Sequence, residues 1–335
     1  MAKSKKNNQK STHPIHNSIQ IWYEGNKDYQ AEIALDINIW RMNNFEKSVL
    51  MDFGLKIEDA SIVKTIFMYF PFEFDNTNIT DLGKTFLDQQ ILKGIFNENY
   101  VISANTKNPK NILVKDDNTN DVKFSIYKFE DSDFSVTNSF GGTILSFEVK
   151  IPPQTKSRYY RFRISCKEYP PFIEHYQPKN TFFESAFVET ELLDFRINEK
   201  RNQDPSLIEA IVEKLRFKLS NVNFFVMTSV EDEVISDGIN LIYKRQLEMG
   251  DFWNKYLEMP YDKMSVYKCN NVKTGSNGIE DFSCFAKINY RKSNISTIIK
   301  YLLVLFIITI AFSICANVIS NFIWHWIEPI DWRIG

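Results

Sequence analysis

The feature that most constrains this chain lies near its end. From about Ile298 to Ile327 the sequence is apolar, with Lys300 its only charged residue. Such a run suffices for one tilted helix across the roughly 30 Å hydrocarbon layer and is too short for two passes. Lys287, Arg291, Lys292 and Lys300 stand on its N-terminal side, whereas Arg333 beyond it is accompanied by Glu328 and Asp331. The positive-inside tendency therefore predicts a single-pass membrane protein with the bulk of the chain cytoplasmic and the C-terminus outside. Trp324, Trp326 and Trp332 fit an interfacial belt at the far end.

The outer half of this run is polar on one side. At about 100° per residue, Thr309, Ser313, Ala316, Asn317, Ser320 and Asn321 fall within a sector of roughly 140°. Ile307, Ile308, Ala311, Ile314, Cys315, Val318 and Phe322 occupy the remainder. The polar side continues toward the cytoplasm through Leu302, Leu305 and Phe306, and outward to Trp324 with His325 at its edge. Polar groups at membrane depth face protein or water. Three readings follow: helix-helix contacts in a homo-oligomer, a pore lined by the polar residues with Leu302 and Phe306 as a dry constriction, or a passive anchor.

The rest of the chain reads differently. EIALDINIW alternates Ile33, Leu35, Ile37 and Ile39 with Glu32, Asp36 and Asn38, the period of a strand with one buried face. DFGLKIE, VKFSIY, LSFEVKI and KTIFMYF, the last stopped at Pro71, read the same way. The fold class expected is mainly β, an antiparallel sandwich-like cytosolic domain with a single C-terminal transmembrane helix. FLDQQILKGIF reads as one short helix. DPSLIEAIVEKLRFKL reads as a longer one, with Asp204 at the N-cap, Pro205 first, and Ile208, Ile211, Val212, Leu215 and Leu219 on one face. The expected division is a disordered polar arm over 1–20 that lacks the apolar core of a signal peptide, a β-rich domain over 21–200, a small α+β subdomain over 201–293, the membrane helix over 294–327 and an external tail over 328–335.

With 42 acidic and 40 basic residues among 335, no overall basic field advertises duplex nucleic acid. Cys166, Cys269, Cys284 and Cys315 lack CxxC spacing, which argues against zinc and a disulfide framework and for a reducing compartment. No P-loop, GxGxxG, GxSxG or HExxH pattern occurs, so no catalytic, cofactor or metal residue is assigned and a non-enzyme is expected. His13 and His16 sit in the polar arm, His175 stands in EYPPFIEHYQP, and EDEV around Glu231 and Glu233 reads as a solvated loop. SRYYRFRISCK carries more: alternation places Tyr159, Arg161, Arg163 and Lys167 on one face. This basic, aromatic stripe suits a nucleotide or single-stranded DNA ligand. The competing reading is a sheet face whose arginines pair with acids on a neighbouring strand. Lys214, Arg216 and Lys218 form a weaker basic candidate.

In plan, the β-rich body joined to the span 298–327 resembles the membrane effectors of bacterial anti-phage systems, and among them the Hailong type, whose cytosolic crown binds an inhibitory DNA oligomer above an ion-channel domain. SRYYRFRISCK corresponds to the ligand side of that plan and TIAFSICANVISN to the channel side. The resemblance implies a homo-oligomeric, ligand-regulated pore in membrane lipid, an anionic nucleotide or DNA signal, and a partner nucleotidyltransferase. The alternative is a tail-anchored adaptor that presents its sandwich to a protein partner.

Overall fold

The computed structural model describes residues 17–41, 48–104, 108–176, 188–201, 203–236, 241–260, 263–272, 279–291 and 295–327. The polar arm through residue 16, with His13 and His16, the Ser236–Gly238 turn beyond Ser236, and the tail with Glu328, Asp331, Trp332 and Arg333 lie outside the described residues.

The chain is mainly β. One sheet has ten strands, the path running β17 (Leu241–Gln246), β18 (Met264–Val272), β15 (Lys218–Ser229), β2 (Glu32–Trp40), β3 (Val49–Ile57), β11 (Arg158–Cys166), β8 (Val122–Tyr127), β7 (Asn111–Asp116) and β6 (Tyr100–Ala104), with β5 (Ile79–Asp81) also on β11. The other has nine: β16 (Glu233–Ile235), β19 (Phe282–Arg291), β13 (Val188–Ile197), β1 (Ser18–Gly25), β4 (Val63–Phe70), β10 (Gly142–Glu148) and β9 (Phe134–Ser139), with β12 (Ile173–Tyr176) on β13 and β14 (Leu215–Arg216) on β1. The alternating apolar residues fill the space between the sheets. Ile33, Leu35, Ile37 and Ile39 are buried to within 1%, Phe53 meets Phe70 with ring centroids 5.2 Å apart, and Phe195 stacks on Phe224 at 4.5 Å. Face-to-face packing of two inner faces makes this a sandwich.

Pairing is antiparallel except between β15 and β2, β11 and β8, and β1 and β13 among the described pairs, so the sheets are mixed. The parallel β15–β2 pair corrects the expected boundary near residue 200. β15 lies between β2 and β18 in the middle of the ten-stranded sheet, and 1–176 and 190–289 form one compact unit. The second helix is also shorter than its periodicity suggests. It covers Pro205–Ile211, with Asp204 accepting from the Ser206 amide at 2.8 Å; Leu207 and Ile211 are buried, whereas Ile208 and Val212 are exposed. Beyond it the chain becomes extended, because Leu215 and Arg216 pair with Tyr23 and Trp22, and Phe217 and Leu219 are buried with the two-residue period of a strand.

We number the helices α1 (Gln89–Phe96), α2 (Pro205–Ile211), α3 (Asp251–Leu257) and α4 (Ile295–Ile327). α1 starts on Asp88, whose carboxylate accepts from the Gln90 amide at 2.9 Å. α2 packs on Trp22 and Tyr69 of the nine-stranded sheet; α1 and α3 cover the outer face of the ten-stranded one. Cys269 and Cys284, unremarkable by spacing, are hydrogen-bonded to one another inside the sandwich, and both thiols are free.

A second unit comprises 177–189 and 290–335. Its described part is dominated by α4, 33 residues long, of which Ile298–Trp326 is long and apolar enough to cross a membrane. No side chain in the most apolar stretch of that span is buried.

Candidate functional site

The outward-facing residues of the ten-stranded sheet follow from its register. One row across neighbouring strands is Asn223, Asp36, Gly54 and Arg161; the next is Lys268, Phe225, Asn38, Asp52 and Arg163; on the other side lies Asn221, Ala34, Lys56 and Tyr159. Asp36 and Asn38, two of the polar members of EIALDINIW, thus do not face open solvent. They form the floor of a cavity of about 710 Å³, walled by Gly94–Asn97 at the end of α1, by Tyr100, and by Trp253 of α3.

Part of that floor is a closed polar network. Asp52 is completely buried and accepts from Arg163 at 2.6 and 3.1 Å, from the Tyr256 hydroxyl at 2.7 Å and from the Trp40 indole at 2.7 Å. Arg161 donates to the hydroxyls of Tyr256 at 2.8 Å and Tyr159 at 2.9 Å. Burial alone would raise the Asp52 carboxyl, but the Arg163 guanidinium, with Arg161 and the Tyr256 hydroxyl, holds it below its ordinary value of 3.8. Burial pushes the Tyr256 and Tyr159 phenols well up, so both serve as neutral hydrogen-bonding groups. Gly54 makes the network possible: a Cβ there would lie 2.2 Å from the Tyr159 hydroxyl oxygen.

This geometry corrects the reading of SRYYRFRISCK as an exposed ligand stripe. Tyr159 and Arg161 are fully buried and Arg163 is 5% exposed. Lys167 lies past the end of β11 and is exposed. The alternation was read correctly, but α3, arriving some ninety positions later, covers that face, and Asp52 on β3 supplies the cross-strand acid. Arg161 still underlies the cavity, although its N–H groups are turned to Tyr256 and Tyr159. Lys214 and Lys218 pair with Glu24 at 3.2 Å and Glu32 at 2.9 Å, and Arg216 donates to Gln20 at 3.0 Å.

In comparisons with known proteins, no family model and no curated protein matches the chain. Among solved structures it is similar to the Fcho1 Mu homology domain of Danio rerio with bound Eps15 peptide, at 10% identity over 79% of this chain and 81% of that one, with a TM-score of 0.15.

The remaining cavity groups differ in how they are satisfied. Lys56 pairs with Glu58 at 3.0 Å, Arg245 with Glu248, and Asp36 accepts from Asn223 at 2.7 Å. Glu98 stands exposed at the rim. Lys268 has no carboxylate within ion-pair distance among the described residues; its ammonium lies over the rings of Phe225 at 5.5 Å and Tyr243 at 5.8 Å. Trp253 is 3% exposed, and among the described residues its indole N–H has no partner and the Asn221 side-chain oxygen is also unsatisfied. Sequence reasoning missed Asp52, Trp253 and Lys268. The available signals were a carboxylate out of phase with Phe53, Leu55 and Ile57, and the cluster DFWNKYL between two strands.

The other sequence candidates are simply placed. His175 is on β12 opposite Glu191 of β13. EDEV is not wholly solvated: Asp232 is buried, accepting from the Thr228 hydroxyl and, at 3.1 Å, from the Ser229 amide, which closes the turn after β15. Among the described residues no three His, Cys, Asp or Glu side chains converge as a metal site requires.

On α4, Thr309, Ser313, Asn317 and Asn321 follow at four-residue intervals, a polar ladder of about 18 Å along one side. The Thr309 hydroxyl donates to the Leu305 carbonyl at 2.8 Å. The side chains of Ser313, Asn317, Ser320 and Asn321 have no hydrogen-bond partner among the described residues, and Leu302 and Phe306 are exposed.

Proposed function

We propose that this chain is a single-pass membrane effector whose α4 helices assemble around their polar sides into a ligand-regulated pore, and whose sandwich carries the regulatory ligand. The observation that carries this reading is the ladder on α4. An Asn carboxamide left without a partner in hydrocarbon costs several kcal/mol, and Asn317 and Asn321 stand one turn apart in an otherwise apolar span. Neighbouring copies or enclosed water supply the missing partners, and Leu302 and Phe306 then form an apolar ring nearer the N-terminal end of the helix. The body lies on the cytoplasmic side of a bacterial inner membrane, by the charge asymmetry around the span. The signal is an anionic, nucleotide-like molecule, made in an anti-phage setting by a partner nucleotidyltransferase. With the SRYYRFRISCK face buried, the support for a ligand comes from the cavity under α1 and α3.

Ion flux from liposomes containing the full chain tests the proposal. The wild-type chain releases trapped ions in one ligand state, and Asn317→Leu lowers the rate about tenfold or more while leaving the protein in the membrane fraction. Liposomes that stay sealed in every ligand state would refute the pore.

A further inference from the structure

The cavity under α3 is lined by one cation without an acidic partner among the described residues and by one buried indole. Trp253 is almost completely buried, lines the cavity and has an indole N–H without a partner among the described residues. Most buried polar groups in folded chains are satisfied, and Trp40, Tyr256 and Phe252 present their rings to Trp253. Lys268 pairs with Phe225 two positions along from the Met227–Val266 pair, which packs in the same apolar cluster as Trp253, and Lys268 and Trp253 line the same cavity. Lys268 is the lining cation that has no carboxylate within reach among the described residues; Lys56 and Arg245 have theirs, and Arg161 is held by Tyr159 and Tyr256. Its ammonium is flanked by Phe225 and the half-exposed ring of Tyr243.

We infer that this cavity is a binding site for a small molecule in which an anionic group, phosphate or carboxylate, is carried on a flat ring. The anion accepts from Lys268, and the ring lies against the aromatic lining, Trp253 included. About 710 Å³ is the size of a small-molecule site. The lining carries four cations, Lys56, Arg161, Arg245 and Lys268, against three carboxylates, Asp36, Glu58 and Glu98, a small positive excess that favours an anion over a neutral ligand. The inference supplies the ligand site for the membrane effector proposed above, but its test does not depend on flux.

The test is calorimetric titration of the full chain in detergent with adenosine 5′-monophosphate, adenosine, inorganic phosphate and indole-3-acetate. Binding of the monophosphate assigns the anion as phosphate, and binding of indole-3-acetate in its place assigns it as carboxylate. In either case Lys268→Met, a half-buried change of similar length, weakens binding about tenfold or more, as expected for loss of a charge-assisted contact. The Trp253 indole N–H resonance, assigned with Trp253→Phe in protein labelled at tryptophan, shifts on adding the bound probe. The inference is overturned if neither ring-bearing anion binds, if adenosine binds as tightly as its monophosphate, if Lys268→Met leaves affinity unchanged, or if the Trp253 resonance does not move. Binding with no flux would contradict the pore and leave this site standing; flux with no binding would do the reverse.

Discussion

Asp52 joins more of the outer face of the ten-stranded sheet than any other side chain described: two guanidiniums, a phenol and an indole converge on it. Removing one partner of a buried ion cluster leaves the others uncompensated, at a cost of about 3–5 kcal/mol. Asp52→Asn is therefore expected to lower the unfolding free energy of the full chain in detergent by that amount, read as a lower urea midpoint, and an unchanged midpoint would show that the network contributes nothing. The carboxyl lies below its ordinary value in the folded chain. Its contribution is thus complete above about pH 4 and lost as pH falls through the lower, folded value, so wild type loses stability in acid more steeply than Asp52→Asn. Gly54→Ala puts a methyl group against the Tyr159 hydroxyl and should cost about 1–3 kcal/mol by overpacking, read as a lower melting temperature. At this scale the arginine alternation was legible in SRYYRFRISCK, and so was the option of a cross-strand acid. The burial was not legible, because it is imposed by Tyr256 and Trp253 from a helix distant in sequence.

Among the elements, the strands were the most readable part. EIALDINIW, VKFSIY and KTIFMYF each became a strand because a two-residue apolar period can bury one face only when extended. α2 was half readable. Its N-terminus carries the Asp204 cap and Pro205, and Asp204→Ala should lower stability by about 1 kcal/mol, measured by thermal melting. Its end was misread because Ile211, Val212, Leu215 and Leu219 satisfy a helical spacing as well, and only pairing of Leu215 and Arg216 with β1 decides for the extended form. The expected subdomain failed for a related reason. Alternation reveals that β15 is a strand, yet nothing local says that its neighbour is β2, nearly two hundred residues earlier, in parallel.

For the whole molecule, length and composition were enough to mark the membrane span, since about 20 consecutive apolar residues have few other uses. They do not say whether α4 anchors the body or works with copies of itself. Exchanging Ile298–Trp326 for an unrelated apolar helix separates these roles: a pore loses ion flux while membrane association persists, whereas an adaptor keeps its activity. The most direct measurement of the central claim is thiol accessibility along α4. With Cys315→Ala as background, Ser313→Cys, Asn317→Cys and Asn321→Cys are compared with Ile314→Cys, Val318→Cys and Phe322→Cys in liposomes, using a water-soluble, membrane-impermeant reagent. A pore predicts rapid labelling at the first three and protection at the second three. Equal protection at all six positions would mean that the polar side of α4 encloses no water, and would contradict the account.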